Sequence, residues 1–124
     1  MIAVPQTRTG RNGNCLAACL ASLLETEIGF IPEFTDEHWM EELAEFLGAM
    51  DLIYVRVPVE DPMVQAMLGT GTTYHVIEGI SPRGGRHAVV GRNGFTAFDP
   101  HPHDGTGRGL KDAQYYGFLF ERMK

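Results

Sequence analysis

Only two cysteines occur among the 124 residues, Cys15 and Cys19. They stand four apart in what reads as a helix, so they share a face and cross-link no distant parts of the chain; a disulfide framework is excluded. A reducing cytoplasm fits such a pair. There is no Lys/Arg cluster either. Sixteen acidic against ten basic residues give a formal charge of -6, a field that repels polyanions and argues against nucleic acid as a partner. Long apolar runs are also missing. The longest, Leu16 to Leu24, is too short to cross a bilayer, and Met1 to Arg8 has no charged segment leading into an apolar one, so neither a membrane nor a secretory address is expected.

Internal repeats, low-complexity tracts and long linkers are absent as well, and Gly and Pro instead punctuate short elements throughout. With 44% hydrophobic residues, the chain has enough apolar side chains for one core, and a single domain over 1–124 is expected. The polar segment Thr7 to Asn14 runs into Cys15-Leu16-Ala17-Ala18-Cys19-Leu20-Ala21-Ser22-Leu23-Leu24, which is rich in helix formers. A helix is expected to start at Cys15, with Asn14 as its N-cap, and its nearly all-round apolar surface predicts burial on most sides. From Asp36 to Met50, Trp39, Met40, Leu43, Phe46 and Leu47 recur at helical spacing while Glu41, Glu42 and Glu45 fill the polar side. Strand signals follow at Leu52 to Val57, Thr73 to Ile80, His87 to Gly91, Phe95 to Asp99 and Tyr115 to Arg122. Helices first and strands later make an α+β pattern.

A thiol attacks carbonyls as thiolate, and a helix N-terminus stabilises that anion through its free N–H groups and aligned dipoles. Cys15 stands at such a terminus, whereas Cys19, one turn further in, reads as a small core residue. Taken alone, Cys15 reads more simply as a buried structural thiol. The context that changes this is Gly85 to Pro100, two short strands about a glycine turn. If the loop is the three-residue Arg92-Asn93-Gly94, Gly91 pairs with Phe95 and, stepping outward, His87 pairs with Asp99 on one face. A two-residue Asn93-Gly94 turn shifts the register and puts them on opposite faces. In the first case Asp99 orients the His87 ring and leaves its other nitrogen to act as base for Cys15.

Gly13-Asn14-Cys15-Leu16 before a small-residue helix, His87-Ala88-Val89-Val90-Gly91, and Phe98-Asp99-Pro100, in that order, resemble the papain-like cysteine peptidase superfamily, in particular C39-type peptidase domains and short C39-like proteins of bacteria and phages. The motifs touch about a third of the chain. The resemblance implies a papain-like fold with a nucleophile-bearing helix on an antiparallel sheet, a Cys15-His87-Asp99 triad, a peptide or protein substrate and no cofactor. It further implies an oxyanion hole, for which Gln6 is the matching residue, across a gap to Cys15 longer than the family's usual one. Gly13-Asn14-Cys15 is also similar to the motif at the nucleophile of ovarian-tumour type deubiquitinases, but the downstream hairpin is C39-like.

The implied reaction is acyl transfer from an amide, isopeptide or related carbonyl to water through an acyl-enzyme. Two alternatives share the fold: a non-catalytic binding module, and an acyltransferase that hands the acyl group to an amine. Elsewhere, Asp99-Pro100-His101-Pro102-His103-Asp104 matches no standard zinc spacing and reads as a stiff polar loop from which His101 or His103 could touch substrate. Gly105 to Gly109 lacks the strand and the Gly-Lys-Ser/Thr of a phosphate loop. Arg83 and Arg86 either solvate a turn or attract an acidic substrate group, the turn being the simpler reading. His75 reads as an ordinary strand residue, His38 as surface and Trp39 as core.

Overall fold

The computed structural model describes residues 1–9, 13–34, 37–68, 73–102 and 109–122. Three helices, α1 (Cys15–Leu24), α2 (Trp39–Gly48) and α3 (Pro62–Leu68), and five strands, β1 (Leu52–Pro58), β2 (Tyr74–Ile80), β3 (Arg86–Arg92), β4 (Phe95–Phe98) and β5 (Asp112–Glu121), are joined by short connections, with a single 3-10 turn at Ile28–Phe30. The strands form one sheet in the order β1-β5-β2-β3-β4, every neighbouring pair antiparallel. The α+β expectation is met. Helix α1 occupies the expected residues, while α2 is shorter than Asp36 to Met50: it runs from Trp39 to Gly48, and Asp36 lies outside the described residues. Strand β5 starts three residues earlier than expected.

The two inner strands explain their own composition. Positions 75–79 of β2 and 87–91 of β3 are all buried, because helices cover both faces of the sheet there, so neither strand shows the alternation of a half-exposed strand. On one face Cys19 of α1 packs with Val76, Ala88 and Val90. The other side of α1, through Ala17, Leu20 and Ala21, meets Leu43 and Leu47 of α2. That double contact is why α1 is apolar nearly all round and why Ala17 to Ser22 are buried. On the opposite face Val64 and Leu68 of α3 cover Ile77, Val89 and Tyr116. Helix α3 was not expected. Its start is nevertheless written in Asp61-Pro62: the Asp61 carboxylate accepts the Met63 N–H at 3.0 Å, and Pro62 supplies the fixed φ and missing donor suited to a first helical position.

The hairpin of β3 and β4 corrects the sequence reading. Arg92 pairs with Phe95, so the turn is the two-residue Asn93-Gly94, with φ of 53° and 85°, the positive pair of a type I′ turn. The three-residue loop over Arg92-Asn93-Gly94 is therefore not formed. Gly91 then pairs with Thr96 but Val90 with Phe98, which leaves Ala97 as the extra residue of a β-bulge. The direct opposition of His87 and Asp99 does not occur in this register.

His75 does more than fill a strand. It is wholly buried; its Nε2 accepts the N–H of Gly94 at 3.2 Å and its Nδ1 donates to the Val76 carbonyl at 3.2 Å, an assignment that makes the ring neutral. Burial lowers its pKa, against the opposing effect of the Val76 bond. The ring thus fastens the Asn93-Gly94 turn to β2, and Gly91 makes room for it: a Cβ at Gly91 would stand 2.5 Å from the His75 ring. Replacing His75 by alanine removes that tie, orphans the Gly94 N–H and opens a cavity, and is expected to lower unfolding stability by about 3 kcal/mol; urea denaturation checks this, and a loss under about 1 kcal/mol would contradict it.

Candidate functional site

Four segments converge on one cleft: the stretch before α1, the start of α1, the β2–β3 connection with the start of β3, and the residues that follow β4. Gln6, Cys15, His87 and His101 all line this cleft, whose volume is about 680 Å³. Cys15, the first residue of α1, is partly exposed, as a nucleophile must be. Asn14 is the N-cap residue, as expected, but its side chain makes no capping hydrogen bond. Instead the Asn14 side chain reaches back along the chain. Its Oδ1 accepts the N–H groups of Thr7 and Arg8, both at 3.0 Å, and its Nδ2 donates to Thr7 Oγ1 at 2.8 Å. The first-turn N–H groups of α1 are thus left without a side-chain cap, beside the thiol.

His87 and Asp99 are in contact despite the failed register argument. His87 Nε2 donates to Asp99 Oδ1 at 2.7 Å, with the side chains only 4% and 6% exposed. What brings them together is the bulge at Ala97 and the end of β4 at Phe98, which free Asp99 from strand geometry. Asp99 is then fixed from behind: Oδ1 also accepts the N–H of His101 at 2.9 Å, and Oδ2 accepts the N–H of Gly109 at 2.7 Å. With Nε2 committed to Asp99, Nδ1 is the nitrogen left for Cys15, which lines the same cleft as His87.

These contacts move the ionisation of both groups. Burial on its own lowers the His87 pKa, but the bonds to Asp99 and Cys15, with the charges they carry, outweigh it and raise the value from 6.5 to about 9. For Asp99, burial raises the pKa, yet the His87 bond and the N–H groups of His101 and Gly109 bring it from 3.8 down to about 2. The pair is ionised over the physiological range. Cys19 behaves as expected of a core residue: burial raises its pKa well above the ordinary value, reinforced by Cys15, Asp99 and Glu78.

Gln6 is only 6% exposed and is pinned at both ends of its segment. Its own N–H donates to the Pro100 carbonyl at 3.0 Å, while the next two residues hang on Asn14. Its Nε2 donates to the Arg8 carbonyl at 2.8 Å, a bond that uses one of the two amide hydrogens. Its Oε1 is buried without a hydrogen-bond partner. The long interval between Gln6 and Cys15 is thus closed by the Asn14 clamp. Asn14 is a positioning residue that sequence reasoning took only for a cap; the signal was an amide before the thiol with a polar loop upstream.

His101 packs edge-to-face on His87 with ring centroids 6.0 Å apart, and its Nδ1 donates to the Pro102 carbonyl at 2.8 Å. His103, Asp104 and the Gly105 to Arg108 stretch lie outside the described residues. Among the described residues no three His, Cys, Asp or Glu side chains gather as a metal site, and no helix is long and apolar enough to cross a membrane. No protein-family model matches the chain, and no match was found among curated proteins or among solved structures.

The charge pair makes stability depend on pH in a defined way. Raising the His87 pKa above its unfolded value adds stability that is full below about 6.5 and is lost as pH climbs through about 9; lowering that of Asp99 adds stability that is full above about 3.8 and is lost as pH falls toward about 2. The stability difference between the native sequence and Asp99→Asn is therefore expected to peak between these limits, on the order of 3 kcal/mol, and to shrink on both sides. Denaturant melts across the pH range check it; a flat difference would contradict the pairing.

Proposed function

We propose that the protein is a cysteine hydrolase of papain-like, C39-like type that cleaves a peptide, isopeptide or related acyl bond through an acyl-enzyme on Cys15. The observation that carries this reading is His87 bonded to Asp99 at 2.7 Å while it lines one cleft with Cys15. A nucleophile, a base and a group that orients the base are the minimum set for this chemistry.

In the proposed reaction the Cys15 proton rests on His87 Nδ1, since the ring is ionised at neutral pH, and the thiolate adds to the carbonyl carbon. The oxyanion is held by the Cys15 N–H and by the second hydrogen of Gln6 Nε2. Collapse expels the leaving group, which collects its proton from His87, and the acyl-enzyme is then hydrolysed by a water that His87 deprotonates. Asp99 stays ionised throughout and holds the ring.

The test is the reactivity of Cys15. At neutral pH iodoacetamide is expected to alkylate Cys15 about 10²-fold faster than in His87→Ala, with buried Cys19 unlabelled in both, and p-nitrophenyl acetate is expected to leave an acetyl group on Cys15 that intact mass spectrometry detects after a brief acid quench. Equal alkylation rates in the two proteins would contradict the proposal and favour a non-catalytic module on the same fold.

A further inference from the structure

The two edges of the sheet, β4 and β1, are built differently. Strand β4 has only four residues, a bulge in its pairing with β3, and Asp99-Pro100 directly after it. Short length, bulges and proline are ordinary means of blocking an exposed edge. Strand β1 has none of these from Leu52 to Val57. It is seven residues long, pairs with β5 without a register shift, and reaches a proline only at its last residue. Its one charge, Arg56, is engaged on the face that α2 covers: Arg56 Nε donates to Glu78 Oε1 at 3.1 Å, and the guanidinium lies over the rings of Trp39 and Tyr115.

The ladder fixes which backbone groups of β1 face outward. Val59 N–H donates to the Gln114 carbonyl at 3.1 Å and Arg122 N–H to the Asp51 carbonyl at 2.7 Å, both in the register of β1 with β5. Bonded pairs alternate along an antiparallel ladder. Ile53, Val55 and Val57 therefore exchange bonds with β5, while the N–H and C=O groups of Leu52, Tyr54 and Arg56 point away from it. Among the described residues no backbone group bonds to them from that side.

Beside this edge lies an apolar face without cover. Ile53 stands opposite Phe120 and Val55 opposite Phe118, the rings of Phe118 and Phe120 are 6.2 Å apart, and Ile53, Val55 and Phe120 are exposed. Helix α3 covers the same face only further along, over Tyr116. Its seven residues make about 10 Å of helix, whereas the ten residues of β5 span about 33 Å. An added strand meets both needs, because it bonds the outward groups and carries side chains across the bare face.

We propose that β1 pairs antiparallel with β1 of a second copy of this chain, about a twofold axis through Tyr54, in a weak dimer with one sheet running through both copies. In this register Tyr54 exchanges bonds with Tyr54 of the second copy and Leu52 with Arg56, so every outward N–H and C=O of the three residues gains a partner. Ile53 comes opposite Val55 of the second copy and the two apolar faces join. Pro58, with no N–H to give, lies beyond the paired stretch. The pairing consumes the open edge of both copies, and the blocked β4 edges stop further growth. A strand edge and a few side chains bury less than the about 800 Å² per partner of a standard interface, and two copies of charge -6 repel. A dissociation constant on the order of 10 μM is therefore expected. No residue that lines the Cys15 cleft belongs to β1 or β5, so the proposal stands apart from the hydrolase reading.

Sedimentation equilibrium of the full chain in about 0.15 M salt, from about 1 μM to about 500 μM, is expected to show mass rising reversibly from 13.7 kDa toward twice that value and no further. Amide hydrogen exchange by NMR over the same range is expected to slow about tenfold at Leu52, Tyr54 and Arg56 as the dimer fills. Val55→Lys and Ile53→Lys each place a charge in the joined face and are expected to stay at 13.7 kDa throughout; protected Val76 and Val90 amides report that they are folded. The amide pattern of the native sequence decides the matter even where a variant fails to fold. A native chain that is monomeric at every concentration would overturn the proposal. So would a dimer whose Leu52, Tyr54 and Arg56 amides exchange as fast as in the monomer, or one that forms equally well in both folded lysine variants.

Discussion

The cleft is organised by the 2.7 Å hydrogen bond between His87 Nε2 and Asp99 Oδ1. That bond fixes which nitrogen of the ring remains for Cys15, and it requires Asp99 to lie where a regular strand would not have put it. The bulge at Ala97, the early end of β4 and the N–H groups of His101 and Gly109 are the means by which the carboxylate is turned and held. A bare carboxylate at this depth would be costly; the imidazolium and two backbone donors on one side chain offset its desolvation. His101, held in the same turn, closes over the outer edge of the His87 ring.

The Cys15 thiol is positioned through a second, separate route. Helix α1 is buried on both sides, against β2 and β3 through Cys19 and against α2 through Leu20, so its N-terminus cannot shift without disturbing the core. Asn14 then uses the start of that rigid helix as a post on which Thr7 and Arg8 are hung, and the Gln6 N–H is tied to Pro100 next to Asp99. The short segment from Gln6 to Arg8 therefore links the thiol end of the cleft to the carboxylate end. This arrangement spares the helix N–H groups for the cleft, which a conventional side-chain cap would have consumed.

What the sequence made legible was the order of the parts. Cys15 at the head of an apolar helix and a strand histidine are local patterns, and each occupies the element expected of it, whereas Asp99 lies just past the end of β4. The α+β arrangement followed from helix-period runs preceding strand-period runs. What stayed hidden depended on through-space geometry. Asn93-Gly94 was the simplest type I′ signal in the chain, yet taking it alone predicts that His87 and Asp99 face apart; only the bulge reconciles the turn with the contact, and nothing in Thr96-Ala97-Phe98 marks a bulge. Asn14 stands at the expected N-cap, but its side-chain bonds went unforeseen because the same amide that caps helices can equally accept two N–H groups from an upstream loop. Helix α3 escaped because seven residues after Asp61-Pro62 are too few for a periodic pattern to stand out. His75 looked like any buried strand residue, since its tie to Gly94 spans the sheet.

The account depends on His87 being engaged from both sides, and that is directly measurable. Proton-carbon NMR of the histidine Cε1 positions, with His87 assigned by substitution, follows its titration in the folded protein. The account predicts a midpoint near 9 that falls both in Asp99→Asn and in Cys15→Ala, because each partner raises it. A midpoint near the ordinary 6.5 that neither substitution moves would contradict it.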